Sequence, residues 1–97
     1  MVNCRRNTSL NAKLFYKYVA GGSNVSVFRP TGTTAALVVV FRKANGNYLI
    51  GAIDDTEKSF LQIVNHGYDN ITVGMSTSSV AVSNPTGAAV HVMLIFV

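Results

Sequence analysis

Two histidines, one cysteine and four acids are the groups in this 97-residue chain best suited to proton transfer, nucleophilic attack or metal binding. His66 stands in the turn-like run His66-Gly67-Tyr68-Asp69-Asn70. An imidazole there can orient a water or take a metal, but nothing nearby completes a nucleophile–base set or a ligand set, so it reads as a surface turn residue. His91 lies in an apolar run and reads as a hydrogen-bonded core or interface histidine. Asp54, Asp55 and Glu57 crowd three carboxylates together. The alternating acids and central glycine of a calcium loop are missing, which leaves a solvated acidic loop with Asp55 as a local cap. Cys4 has no second cysteine to pair with, so neither an internal disulfide nor a cysteine-based zinc site fits one chain. Arg5 and Arg6 beside it ease thiolate formation, but it reads as a bystander thiol. Gly21-Gly22 and Gly32 lack the Gly-Lys-Ser/Thr that a phosphate loop needs. The expectation is a protein without catalytic residues, metal or cofactor.

Aromatic stacking is the remaining chemistry. Tyr16 and Tyr18 alternate along one strand-like run, with Lys13 and Lys17 beside them in sequence. Exposed tyrosine faces next to cations suit a sugar or single-stranded nucleic acid. The competing reading is a half-buried strand whose tyrosines cap the edge of the core.

The net charge of +4 divides unevenly. Residues 1–43 hold Arg5, Arg6, Lys13, Lys17, Arg29, Arg42 and Lys43 and no acid, giving +7. Residues 44–97 set Lys58 against Asp54, Asp55, Glu57 and Asp69, giving −3. A basic half admits an anionic partner, yet the cations are spread singly with no dense run. Charge is scarce altogether: 12% of residues, about half the usual share. So few charges leave the surface to Ser, Thr and Asn, or to a partner. The start, MVNCRRNTSL, has no apolar stretch of signal-peptide type, and no run reaches the ~18 apolar residues of a membrane helix. A protein folded in a reducing cytoplasm and not inserted in a membrane is expected.

These groups must be carried by strands. Val, Ile, Thr, Phe and Tyr recur in short runs bounded by Gly, Asn and Pro, and no window keeps helical spacing. The runs fall at residues 13–19, 24–29, 35–43, 47–53, 59–64, 71–75, 79–83 and 88–97. Phe60 and one of Ile63 and Val64 are expected inward. Asn45-Gly46 between two apolar runs predicts a type I′ hairpin. Asn84-Pro85-Thr86-Gly87 predicts a tight turn joining the last two strands as a hairpin. The whole predicts an all-β fold, an antiparallel β-sandwich or jelly-roll of about eight short strands over residues 12–97. Residues 1–11 are expected to form a flexible or partner-bound segment.

The last strand is apolar on both sides. Ala88, Val90, Val92, Leu94 and Phe96 alternate with Ala89, His91, Met93, Ile95 and Val97. A sandwich strand has one inner face and one outer face, and the outer one is ordinarily polar. His91, Met93, Ile95 and Val97 are therefore candidate contacts of a homo-oligomer, a trimer first.

High Ser/Thr/Asn/Gly content with few charges, short runs such as Ile71-Thr72-Val73-Gly74-Met75 and Val80-Ala81-Val82-Ser83-Asn84-Pro85-Thr86-Gly87, and the end Val92-Met93-Leu94-Ile95-Phe96-Val97 resemble the small β-rich modules of bacteriophage tail fibres, baseplates and other virion appendages. The likeness covers roughly residues 33–97. It implies a trimer that attaches a particle to a surface glycan or assembles with other virion proteins, located in the virion and without catalytic residues. The alternative is a small binding or inhibitory protein that uses its basic half on nucleic acid or an acidic protein surface.

Overall fold

The computed structural model describes residues 13–68 and 70–97. The expected N-terminal segment, Cys4, Arg5, Arg6 and Asp69 lie outside these residues, and of the proposed first strand they leave residues 13–19 in view. The described residues form eight strands and no helix. They are β1 (Leu14–Val19), β2 (Ser23–Phe28), β3 (Ala35–Arg42), β4 (Asn47–Asp54), β5 (Leu61–His66), β6 (Thr72–Met75), β7 (Ser79–Asn84) and β8 (Val90–Phe96). Every pairing is antiparallel.

A five-stranded sheet in the order β1-β8-β3-β4-β5 lies against a three-stranded sheet, β2-β7-β6. The result is an antiparallel β-sandwich. It keeps the nested pairing of a jelly-roll for β1 with β8 and β2 with β7, but β4 and β5 stay beside β3 as a meander and β6 joins β7. The C-terminal strand is flanked on both sides, by β1 and β3.

Period-two alternation builds the core. Val38 and Val40 of β3, Leu49 and Ile53 of β4, and Val80 and Val82 of β7 point between the sheets and are buried. Val90, Val92, Leu94 and Phe96 supply the inner face of β8, and the Phe15 ring meets Phe96 edge-on at 5.7 Å. Each fully buried aliphatic side chain of this kind stabilises the fold by roughly 1.5–3 kcal/mol. Gly51 leaves room on β4 for the start of β5: a Cβ there would overlap the Phe60 ring and the Leu61 carbonyl. The register shifts beside it, between Ile50 and Gly51, leaving Ile63 unpaired as a bulge.

Several local expectations are corrected. The Asn84–Gly87 turn does not make a hairpin; it carries the chain from β7 in one sheet to β8 in the other. The buried Asn84 side chain directs that crossover. Its Nδ2 donates to the carbonyls of Val19, Ala20 and Ala88, and its Oδ1 accepts from the backbone N–H and hydroxyl of Thr86. The β3–β4 hairpin exists, with Arg42 opposite Asn47, but its loop is the four residues 43–46. Only Gly46 has positive φ, at 72°, and Asn45 does not, so the turn is not type I′. His66 ends β5 and is not a turn residue. Phe60 packs on the core as expected, whereas Ile63 and Val64 are exposed.

Two arginines hold the sandwich ends. Arg29 Nη1 donates to Asp55 Oδ1 at 2.9 Å and to the carbonyls of Ser76 and Thr77, while Nη2 reaches the Thr33 carbonyl. One guanidinium thus ties together three loops. Asp54, rather than Asp55, caps its loop by accepting from the Glu57 N–H. Arg42 does similar work on the crossover, donating to the carbonyls of Ala88 and Ala89 and to the Thr86 hydroxyl.

Candidate functional site

The register of the five-stranded sheet sets its outward side chains in three rows. The first runs Tyr18, His91, Phe41, Tyr48 and His66 across all five strands. The second runs Tyr16, Met93, Val39, Ile50 and Val64. The third runs Leu14, Ile95, Leu37, Ala52 and Leu61. No side chain in these rows is an acid, a lysine or an arginine. Asp54, one position beyond Ala52 on the outward side of β4, is the first charge met at that end.

The centre of this face is partly shielded by its own neighbours, and its margins are open. Tyr16 is 54% exposed, Tyr18 64% and Leu61 65%. The first row is an aromatic band. The His91 ring stacks on Phe41 at 4.7 Å and sits against Tyr18 at 4.8 Å, while Tyr48 stacks on His66 at 5.3 Å. His91 Nδ1 is 2.6 Å from the Tyr16 hydroxyl.

The outward side of the other sheet is of a different kind. Its rows are Asn24, Ser83 and Thr72, then Ser26, Ala81 and Gly74, then Phe28 and Ser79. Apart from Phe28 these are small or polar groups that water covers well. The sandwich therefore has one solvated face and one apolar face. Roughly, five strands about 4.8 Å apart and rows about 6.8 Å apart make the apolar face some 500 Å² in plan. That is at the size of the largest apolar patch a soluble monomer ordinarily exposes, where such patches mark interaction sites.

The individual candidate residues fall as follows. His91, Met93 and Ile95 belong to the three rows and are half-buried, and Val97, just past the end of β8, is exposed. Tyr16 and Tyr18 point outward on β1, so they do not cap the core edge. Lys17 pairs with Val92 and takes the opposite side of β1, so it does not share the tyrosines' face. It lines instead a shallow groove of about 240 Å³ between β1 and β2, with Tyr18, Ser23, Asn24 and Val25 among the other walls. Lys13 lies just before β1 and is exposed.

The acidic loop is not a ligand set. Asp54 holds a backbone N–H and Asp55 holds Arg29, whose hydrogen bond keeps the Asp55 carboxyl below its ordinary value. Among the described residues no three His, Cys, Asp or Glu side chains gather as metal ligands. No helix among them is long and apolar enough to cross a membrane.

Sequence reasoning found the outer side of β8 but not the rest of the face. Leu37, Val39 and Phe41 alternate along the run at 35–43 and so share one side of it; that they adjoin β8, and that Ile50 and Tyr48 extend them, depends on a strand order that no local pattern encodes. No protein-family model matches the chain, and neither a curated protein nor a solved structure matches it.

Proposed function

We propose that this chain is a non-enzymatic structural and attachment module of the virion-appendage kind, which self-assembles through the outer face of its five-stranded sheet. The observation that carries the reading is the contrast between that uncharged apolar face and the Ser/Thr/Asn face of the other sheet. Water covers the second without cost, whereas the first is stabilised by meeting another apolar surface. The exposed rings of Tyr16 and Tyr18 at the β1 margin are the place for a surface glycan, stacked on an aromatic face.

The alternative, a basic half that grips nucleic acid or an acidic protein, loses support from the arginine geometry. Arg29 and Arg42 are engaged with carbonyls and with Asp55, inside the molecule. The lysines left on the described part of the basic half are Lys13 and Lys17 at β1 and Lys43 in the β3–β4 loop, too few for a stripe.

Light scattering over a concentration series tests the proposal. A mass above the 10.4 kDa of one chain at micromolar concentration is the expected result. A folded monomer at every concentration, retained on heparin and released by modest salt, would favour the alternative.

A further inference from the structure

The partner of the apolar face can be named more closely. We infer that it is a second copy of this chain, packed sheet on sheet about a two-fold axis that passes close to Val39. The inference rests on the self-assembly proposed above and adds its symmetry and its centre.

Four features lead to it. First, the face is broad and spans all five strands, and its hollow of about 280 Å³ lies at the end beside Ala52, Leu61 and Asp54 rather than across the centre; a second sheet fits such a surface, packing at about 10 Å. Two copies of one sheet carry the same twist, so their faces nest in the aligned manner without adjustment. Second, the area suffices. Roughly 500 Å² in plan from each copy comes to about 1,000 Å² before side-chain relief is counted, which is the minimum that a specific interface must clear. Third, the charge pattern favours a like partner. Two chains of +4 repel, yet here they meet through a broad apolar surface that carries no acid, lysine or arginine. An acidic or basic partner would find nothing to pair with. Fourth, the face has the anatomy of an interface. Val39, Met93 and Ile50 form an apolar centre, and Tyr18, Tyr48 and His66 form a margin at one end where their polar atoms reach water. Tyr16 and His91 already satisfy one another.

The same geometry argues for two copies over three. A two-fold pairing brings both sheets face to face across their middle strands and leaves the β1 edge, with Tyr16 and Tyr18, at the open rim. Three copies around a three-fold axis would set three broad sheets as a triangular prism, in which the middle strand of each faces the axis rather than a neighbour. In the observed order β3 is the middle strand, and Val39 is in its middle row. Val39 of one copy therefore faces Val39 of the other.

Charge complementation at this position is the test. Val39→Asp and Val39→Lys are made separately, with Ala81→Asp on the polar sheet as the control. Circular dichroism and melting establish that each variant is folded. The wild-type chain and the control are expected at twice the chain mass. Each charged variant alone is expected at the single-chain mass, since like charges then oppose across the axis. An equimolar mixture of the two is expected to return to the double mass, because opposite charges meet. If either charged variant fails to fold, Val39→Thr replaces it and is expected to weaken association at least tenfold while remaining folded by circular dichroism.

A folded charged pair that stays monomeric on mixing, or a folded Val39→Thr with unchanged association, overturns the placement of the axis. A wild-type mass of three chains overturns the two-fold and leaves the self-assembly proposal standing. A wild-type monomer at millimolar concentration overturns both, and its co-sedimentation with neutral phosphatidylcholine vesicles would give the face to lipid instead.

Discussion

The Tyr16 hydroxyl meets His91 Nδ1 at 2.6 Å, diagonally across the β1–β8 pair, while Tyr18 stands directly opposite His91. Two of the few polar groups on this surface are thereby matched to each other. A covering partner can exclude water from that spot without orphaning either atom, which would otherwise cost about 1–3 kcal/mol. The same contact holds the imidazole ring against Phe41, so Tyr16, Tyr18, His91 and Phe41 pack as one aromatic group beside the Tyr48–His66 pair.

This relationship predicts a tautomer. With the hydroxyl donating, neutral His91 carries its proton on Nε2. Nitrogen chemical shifts of the imidazole should show an unprotonated Nδ1 in the wild-type protein and a mixture of tautomers in Tyr16→Phe. The stability change should stay within about 1 kcal/mol, because the bond is exposed. Identical nitrogen shifts in the two proteins would show that the hydroxyl does not set the ring.

The β3–β4 loop predicts an asymmetry between its two turn residues. Gly46 sits at φ 72° with open space around a built Cβ, so Gly46→Val is penalised by the backbone alone, by about 1 kcal/mol or more. Asn45 has ordinary φ, and its Oδ1 accepts from the Asn47 N–H at 3.0 Å. Asn45→Ala should therefore lose only that bond, by roughly 0.5–1 kcal/mol. Denaturant melts of the two variants check the order; an equal or larger loss at Asn45 would contradict the observed loop.

Asn84 predicts the largest single loss. Its side chain is fully buried and serves three carbonyls from two separated segments, the end of β1 and the end of the crossover just before β8. Asn84→Ala leaves those carbonyls short of a donor inside the fold, at a cost of about 3 kcal/mol. Asn84→Asp removes the donating amide and adds a charge, and should be at least as damaging. Stability of either variant within 1 kcal/mol of wild type would mean that the crossover holds without this residue.

What could be read from the sequence, and what could not, divides along sequence distance. All eight strands were legible, because alternation and turn residues act over a few positions. The role of Asn84 was not: Asn84-Pro85-Thr86-Gly87 has the composition of a hairpin turn, and what makes it a crossover is a bond to carbonyls more than sixty residues away. Arg29 and Arg42 looked like part of a basic surface for the same reason, since their acceptors lie on other loops. His66 was misplaced by Gly67, whose turn signal begins one residue after the strand ends. The second apolar side of β8 was visible, but the face it belongs to needed β1, β3, β4 and β5 to be set beside it.

The Arg29–Asp55 pair predicts an acid limb in the stability profile. The guanidinium holds the Asp55 carboxyl below its ordinary value of 3.8, chiefly through their hydrogen bond. The folded protein therefore takes up this proton less readily than the unfolded chain. Stability from the pair is complete above pH 3.8 and declines as the pH falls below it through the lower folded value. Asp55 is 42% exposed, so the effect is modest. Melting temperatures of wild type and Asp55→Asn between pH 5 and 2 should converge toward the acid end. Parallel curves would remove Asp55 as the cause.

Tyr68 predicts the opposite limb. Its ring is buried, with the Arg42 guanidinium 5.7 Å from its centre. Asn65 fixes its backbone by accepting from the Tyr68 N–H and donating to its carbonyl. Its hydroxyl, however, is buried and finds no partner among the described residues. Burial raises the phenol above its ordinary 10.0, against a smaller opposing pull from Arg42. The unfolded chain thus releases this proton near pH 10.0 while the folded protein still retains it, so stability falls as the pH rises past that point. Tyr68→Phe keeps the ring and removes the unpaired hydroxyl. It should raise stability by about 1 kcal/mol at neutral pH, or roughly 4–8 °C in melting temperature, and remove this residue's share of the alkaline decline. Thermal melts at pH 7 and pH 11 decide the matter: a phenylalanine variant less stable than wild type at pH 7 would show that the hydroxyl has a stabilising partner after all.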